Sequence, residues 1–217
     1  NGQFFDYMKG KRTMRVEVPQ YVLDFGKWSD SKERKDITTL ALPAMNSYNR
    51  YESYTWGYWS PAPLTSLLTN ASIINQTWYM SQNQLSILSK LYYMMRHNDK
   101  NWKILAQFLG IKSILLREDF VWDIEESETD NPDVFKKTLE DPDLKLVKKF
   151  GKWEVYDFKN DNKNDKISAS SSLGYLVGEG VDVESLASLS FLNKDFPLYF
   201  DDYTNSDKKS LKEDILK

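Results

Sequence analysis

Carboxylates are the residues in this chain with the most chemical potential, because 32 of the 217 residues are Asp or Glu. Cleavage of a glycosidic bond needs two such groups at a set separation. Asp119, Asp123, Glu125, Glu126 and Glu128 gather just behind a candidate strand, where a sheet edge can present them. With so many acids in the chain, a solvated acidic loop is the favoured reading of this cluster. Other chemistries lack material. With no cysteine and a single histidine, His97, there is no thiolate nucleophile, no disulfide and no set for a serine–histidine triad or a histidine zinc site. His97 follows an apolar helical run, where an imidazole can bond the last free carbonyls. The stretch NDNKNDK (160–166) lacks the glycine and glutamate that a calcium loop requires, so it reads as a turn. No phosphate loop is present, GYLVGEG lacks the dinucleotide-binding spacing, and the serines of SASSS have no glycine elbow.

Aromatic residues offer a different chemistry. In YTWGYWSPAPLTSLL, Tyr54, Trp56, Tyr58 and Trp59 surround Gly57 and run into Pro61 and Pro63. Sugars present C–H faces that stack on rings, and Trp and Tyr add a polar edge that reaches hydroxyls. One reading is therefore a sugar platform. The other is core: alternation would point Tyr54, Trp56 and Tyr58 inward, with Ser53, Thr55 and Gly57 outward. A split is also open, with Trp56 buried and Trp59 exposed. Arg117 and Asp119 end the candidate strand IKSILLRED, and strand ends in mixed sheets frame binding crevices, so they are the polar partners expected for such a platform.

Asn70-Ala71-Ser72 and Asn75-Gln76-Thr77 are N-glycosylation sequons, which favour an extracytoplasmic setting. The chain is 41% hydrophobic and 14% aromatic, so it has the means to bury a core and is not disordered. Its formal charge of −3 and pI near 5.4 give no nucleic-acid footprint and no polybasic membrane patch. No apolar run reaches the roughly 20 residues that cross a bilayer. The first residue is Asn1 rather than methionine, so the expectation is a piece cut from a longer chain.

The elements that must position these residues follow from periodicity. Pro19 can open a helix that places Tyr21, Val22, Phe25 and Trp28 on one face, closed by the polar run 29–35. DITTLALP reads as a buried strand, PLTSLLTN as a short helix after Pro63, and NASIINQTW as a strand. Leu85, Leu88, Leu91, Tyr92 and Met95 recur at helical spacing over 82–96. Asn98 is the expected cap of a second helix, with Trp102, Leu105, Ala106 and Leu109 inward and Gly110 as its stop. A strand at 111–119 follows. Residues 121 onward turn acidic, then predict a short helix at 134–139 and a hairpin, LKLVKKFGKWEVYDFK, about Gly151 that buries Trp153, Val155 and Tyr156. ISASSSLGYLV and FPLYFDD read as strands, DVESLASL as a helix capped by Asp182, and 205–217 as a terminal tail. The expected class is α+β: a mixed α/β part at 1–120 with helices packed on a sheet, then a β-rich part at 121–217, together one compact unit.

Four segments in order carry a resemblance: VPQYVLDFGKWSDSKERKDITTLALP, YNRYESYTWGYWSPAPLTSLLTN, LAQFLGIKSILLRED and DPDLKLVKKFGKWEVYDFKN. Over about residues 16–160 this set resembles the extracytoplasmic domain of multi-spanning membrane proteins of the GT-C glycosyltransferase class, in their arabinofuranosyltransferase-like and YfhO-like branches. The resemblance implies a parent that moves a sugar from a lipid-phosphate donor to a glycan or protein outside the cytoplasm. Its catalytic acid would lie in a loop between membrane helices, so the segment here would support the site, bind acceptor glycan or brace the membrane part. No cofactor is expected, and the expected partners are a glycan or lipid-linked sugar and the membrane part of the same chain, not nucleic acid. The substrate-facing residues expected are Tyr54, Trp56, Tyr58, Trp59, Arg117 and Asp119, with Asn70 and Asn75 as glycosylation sites. A carbohydrate-binding module of a secreted enzyme and an assembly domain without ligand are the alternatives.

Overall fold

Residues 16–44, 52–76, 80, 82–122 and 130–159, with two strands at 174–177 and 198–201, are described by the structure, a computed structural model. Its centre is a five-stranded sheet in the order β4-β1-β5-β7-β6. β1 (Thr39–Leu42) runs parallel to both β4 (Ile73–Ile74) and β5 (Ser113–Arg117). β7 (Trp153–Phe158) lies antiparallel to β5 and to β6 (Leu144–Phe150). The protein is α+β, and the hairpin from its second half completes the sheet begun in its first.

Every residue of β1 and β5 is buried, as parallel strands covered on both faces require. Side chains alternate along β5, so Ile114 and Leu116 enter one core and Leu115 the other. The first core packs α3 (Gln82–Arg96), α4 (Trp102–Phe108) and α5 (Lys136–Leu139) through Leu88, Leu91, Met95, Trp102, Leu105 and Leu139. The second packs α1 (Gln20–Ser29) and α2 (Leu64–Leu68) through Val22, Phe25 and Leu64 against Trp153 and Val155. Tyr156, from the same strand as Trp153, faces the first core and is only half-buried.

Several local expectations meet the structure directly. Pro19 precedes α1 and its carbonyl accepts from the Val22 N–H at 3.0 Å. His97 closes α3 with Nδ1 2.8 Å from the Tyr93 carbonyl oxygen. Gly110 stops α4 at φ 68°, and Gly151 turns the β6–β7 hairpin at φ 52°, where the Tyr21 ring lies 2.7 Å from any added Cβ. Asn98 is a correction. It does not cap α4; the residue before that helix is Asn101, and Asn98 instead takes φ 53° just past the end of α3. Asparagine tolerates that left-handed conformation, and its Oδ1 accepts from the Thr138 hydroxyl at 3.3 Å.

β8 (Gly174–Val177) and β9 (Leu198–Asp201) pair in parallel, within the stretches expected as strands. The turn at 160–166, the helix at DVESLASL, the acids Asp123, Glu125, Glu126 and Glu128, and the tail lie outside the described residues.

Candidate functional site

The aromatic stretch forms a small hairpin at the end of the sheet where β1 and β5 finish. β2 (Glu52–Ser53) pairs with β3 (Trp59–Ser60), and the Tyr54 N–H donates to the Tyr58 carbonyl at 2.9 Å. Gly57 closes the loop at φ 102°, a conformation that a side chain would strain. Two backbone bonds tie this hairpin to the segment after β5: Thr55 N–H to the Asp119 carbonyl at 2.9 Å and Val121 N–H to the Ser53 carbonyl at 2.8 Å.

The rings divide between core and surface. Tyr54 is buried, whereas Trp56, Tyr58 and Trp59 are half-buried. Tyr54 stacks on Trp56 at 5.2 Å and meets Phe120 edge-on, also at 5.2 Å. Tyr58 contacts both Tyr54 and Trp56 at 5.9 Å, and its hydroxyl donates to the Ala62 carbonyl at 2.8 Å. So Tyr54 belongs to the core as alternation requires, but Trp56 and Tyr58 reach the surface.

Arg117 and Asp119 are both buried behind these rings, at 1% and 0% exposure. The Arg117 guanidinium donates to the Leu42 carbonyl at 3.1 Å, the Pro43 carbonyl at 2.7 Å, the Tyr54 hydroxyl at 2.9 Å and the Glu52 carboxylate at 2.5 Å. Glu52 also accepts from the Leu64 N–H at 2.7 Å, which holds the start of α2. Burial is the main reason the Tyr54 phenol is pushed well above its usual range. Tyr54 thus stays protonated and able to donate, while Arg117 carries the charge that balances Glu52.

Asp119 is held differently. Its Oδ1 accepts from the Trp153 indole N–H at 2.7 Å, and its Oδ2 accepts from the Trp56 indole N–H at 2.8 Å and the Tyr21 hydroxyl at 2.5 Å. Burial, then the hydrogen bond to Asp119, raise the Tyr21 phenol well above its ordinary value, so it remains a donor. One carboxylate therefore joins α1, the aromatic hairpin and β7.

The structure brings together Tyr54, Trp56, Tyr58, Arg117 and Asp119, all from the expected set, with Trp59 on the adjoining strand. Sequence reasoning missed Glu52 and the reach of Tyr21. A lone acid beside an aromatic run was the available signal for Glu52, but nothing in the sequence links it to an arginine so far along the chain.

The two sequons separate. Asn70 is exposed, and its N–H donates to Asp30 at 2.8 Å. Asn75 is 7% exposed, and its Nδ2 donates to the Thr65 hydroxyl at 2.9 Å. An amide nitrogen committed in this way cannot receive a glycan without local unfolding. Asn70→Gln is expected to shift stability by no more than about 0.5 kcal/mol, and Asn75→Ala to cost about 1–2 kcal/mol. Urea melts measure both, and treatment of the folded chain with a glycosylating enzyme followed by mass mapping should mark Asn70 alone.

Among the described residues no cluster of three or more acids or histidines is placed to hold a metal ion, and no helix is long and apolar enough to cross a membrane.

No protein-family model matches the sequence, and no curated protein matches it at a significant level. The fold is shared with the arabinofuranosyltransferase AftD from mycobacteria. One structure of that protein superposes with a TM-score of 0.55 at 16% identity, covering 65% of this chain and 12% of the other. Two classes of a mutant form give TM-scores of 0.59 and 0.56, at 16% and 15% identity, over 71% and 68% of this chain. They match over 14% and 13% of their own length, so this chain spans a small part of each.

Proposed function

We propose that this chain is the extracytoplasmic domain of a membrane-bound glycosyltransferase-like protein of the GT-C class, and that it engages glycan at the aromatic hairpin. The observation that supports the reading is the likeness to a small part of an arabinofuranosyltransferase, which covers 65% to 71% of the chain. The half-buried rings of Trp56, Tyr58 and Trp59 add a surface suited to the apolar face of a sugar. The parent protein would move a sugar from a lipid-phosphate donor, with its reacting groups in the membrane part, and this domain would hold or guide the acceptor.

Arg117 and Asp119 act in this reading from behind the rings. Every guanidinium nitrogen of Arg117 already has a protein acceptor, and both oxygens of Asp119 have donors. They shape the platform rather than touch the sugar.

The test is titration of the purified chain with arabino-, xylo- and manno-oligosaccharides, followed by calorimetry and intrinsic fluorescence. Trp59→Ala is expected to weaken binding by about tenfold or more, while the melting temperature moves little because a half-buried ring contributes modestly to the core. If no oligosaccharide binds, the domain braces the protein without a glycan ligand. A large loss of stability in Trp59→Ala with no separable change in binding would place that ring in the core.

A further inference from the structure

Asp119 is a carboxylate at 0% exposure whose donors among the described residues are all neutral: two indoles and a phenol. A buried charge held without a cation is a costly arrangement unless hydrogen bonds compensate it fully. A core built only for stability would place an apolar side chain here. What this carboxylate adds is direction. A carboxylate accepts along defined lone-pair directions, so each indole N–H it receives fixes the in-plane rotation of a large ring.

The two indoles differ in what that rotation does. Trp153 is fully buried and packed by Phe25 at 5.0 Å and Tyr54 at 5.9 Å, so its orientation is set by its neighbours as well. Trp56 is half-buried, sits on the loop closed by Gly57, and rests with one face on Tyr54. The bond at 2.8 Å from its Nε1 to Asp119 ties the buried edge of that ring to the end of the sheet. The Thr55 N–H bond to the Asp119 carbonyl anchors the same loop through the backbone of the same residue.

We infer that Asp119 is the positioning residue of the glycan platform: it never meets the ligand, and it sets affinity by holding the Trp56 ring in its binding orientation. The inference rests on the glycan-binding reading above. A loop carrying an unanchored ring would have to be ordered at each binding event, and that ordering would be subtracted from affinity. Held in place, the ring is ready before the sugar arrives.

The test uses the full chain, labelled with nitrogen-15, and an arabino-oligosaccharide as probe. In the unmodified chain the indole N–H signals of Trp56 and Trp153 should lie downfield and exchange slowly, with Trp56→Phe identifying the first by its disappearance. Asp119→Leu retains similar volume and takes the acceptor from both indoles and from the Tyr21 hydroxyl. Trp56→Phe retains an aromatic ring and the carboxylate, and removes the bond between them together with part of the ring's stacking area. Each variant is expected to weaken oligosaccharide binding about tenfold or more, and the double variant no further than Trp56→Phe alone, because a ring without its indole N–H has no bond to lose at Asp119. Trp153→Phe, which removes the other indole bond, should leave affinity within about twofold of the unmodified chain; a merely structural role for Asp119 would make it as damaging as Asp119→Leu. Should Asp119→Leu fail to fold, Asp119→Asn carries the comparison, with affinity falling only if the Trp56 indole signal moves to that of a free N–H. Undiminished affinity in Trp56→Phe overturns the inference and leaves glycan binding standing. No binding by the unmodified chain overturns both.

Discussion

Arg117→Ala is expected to cost about 3–5 kcal/mol, a large share of the about 5–15 kcal/mol that holds a domain folded. The guanidinium is 1% exposed and its partner Glu52 is 0% exposed. Removing the arginine leaves Glu52 as a buried charge without its cation and takes the donor from the Leu42 and Pro43 carbonyls, at the end of β1. The cost comes from breaking the pair, not from what the pair itself is worth. Arg117→Met combined with Glu52→Gln should therefore recover a large part of the loss, because it removes both charges together while keeping similar volume. Urea melts of the single and double variants measure this. A single variant within about 1 kcal/mol of the unmodified chain would mean that water reaches Glu52.

Trp153→Ala should cost a similar amount, about 3–5 kcal/mol, by a different route. The ring is fully buried between Phe25, Tyr21 and Tyr54, so its removal opens a cavity in the second core. It also withdraws one donor from Asp119. Trp153→Phe separates these contributions. Most of the volume stays, the indole N–H goes, and the expected loss falls to about 1–3 kcal/mol. A loss below about 1 kcal/mol for Trp153→Ala in a denaturant melt would place β7 at the surface and contradict the packing described. The two sites are neighbours, since Arg117 pairs with Trp153 across β5 and β7, so the combined Arg117→Ala, Trp153→Ala variant should not be additive.

Much of this molecule was legible in one dimension because the physics responsible is local. Pro19 before a helix, Gly110 and Gly151 at positive φ, and His97 on a C-terminal carbonyl each depend on a few neighbouring residues. Apolar recurrence along α3 and the all-apolar interior of β5 follow from burial on one stripe or on both faces of a strand. Asn98 misled because asparagine suits two local tasks, capping a helix start and turning left-handed past a helix end. The backbone takes the second: the Asp99 N–H reaches back to the Met94 carbonyl at 2.9 Å and closes α3 with Asn98 left-handed.

The sequence by itself determined the α+β class, nearly every element of the sheet and the hairpin about Gly151. It also marked Tyr54, Trp56, Tyr58 and Trp59 as one unit, because their spacing around Gly57 is a property of the chain. What those rings and the nearby charges do was decided by tertiary structure alone. Arg117 and Asp119 read as polar strand ends framing a binding crevice, yet both are sealed, one by Glu52 and the carbonyls at the end of β1, the other by two indoles and a phenol from three separate elements. Asn70 and Asn75 carry the same motif, and only packing against Thr65 closes the second. The reason is common to all of these. Whether a polar group meets water or protein depends on partners brought together by chain folding across tens of residues, and periodicity records which side of an element is buried, not what is waiting there.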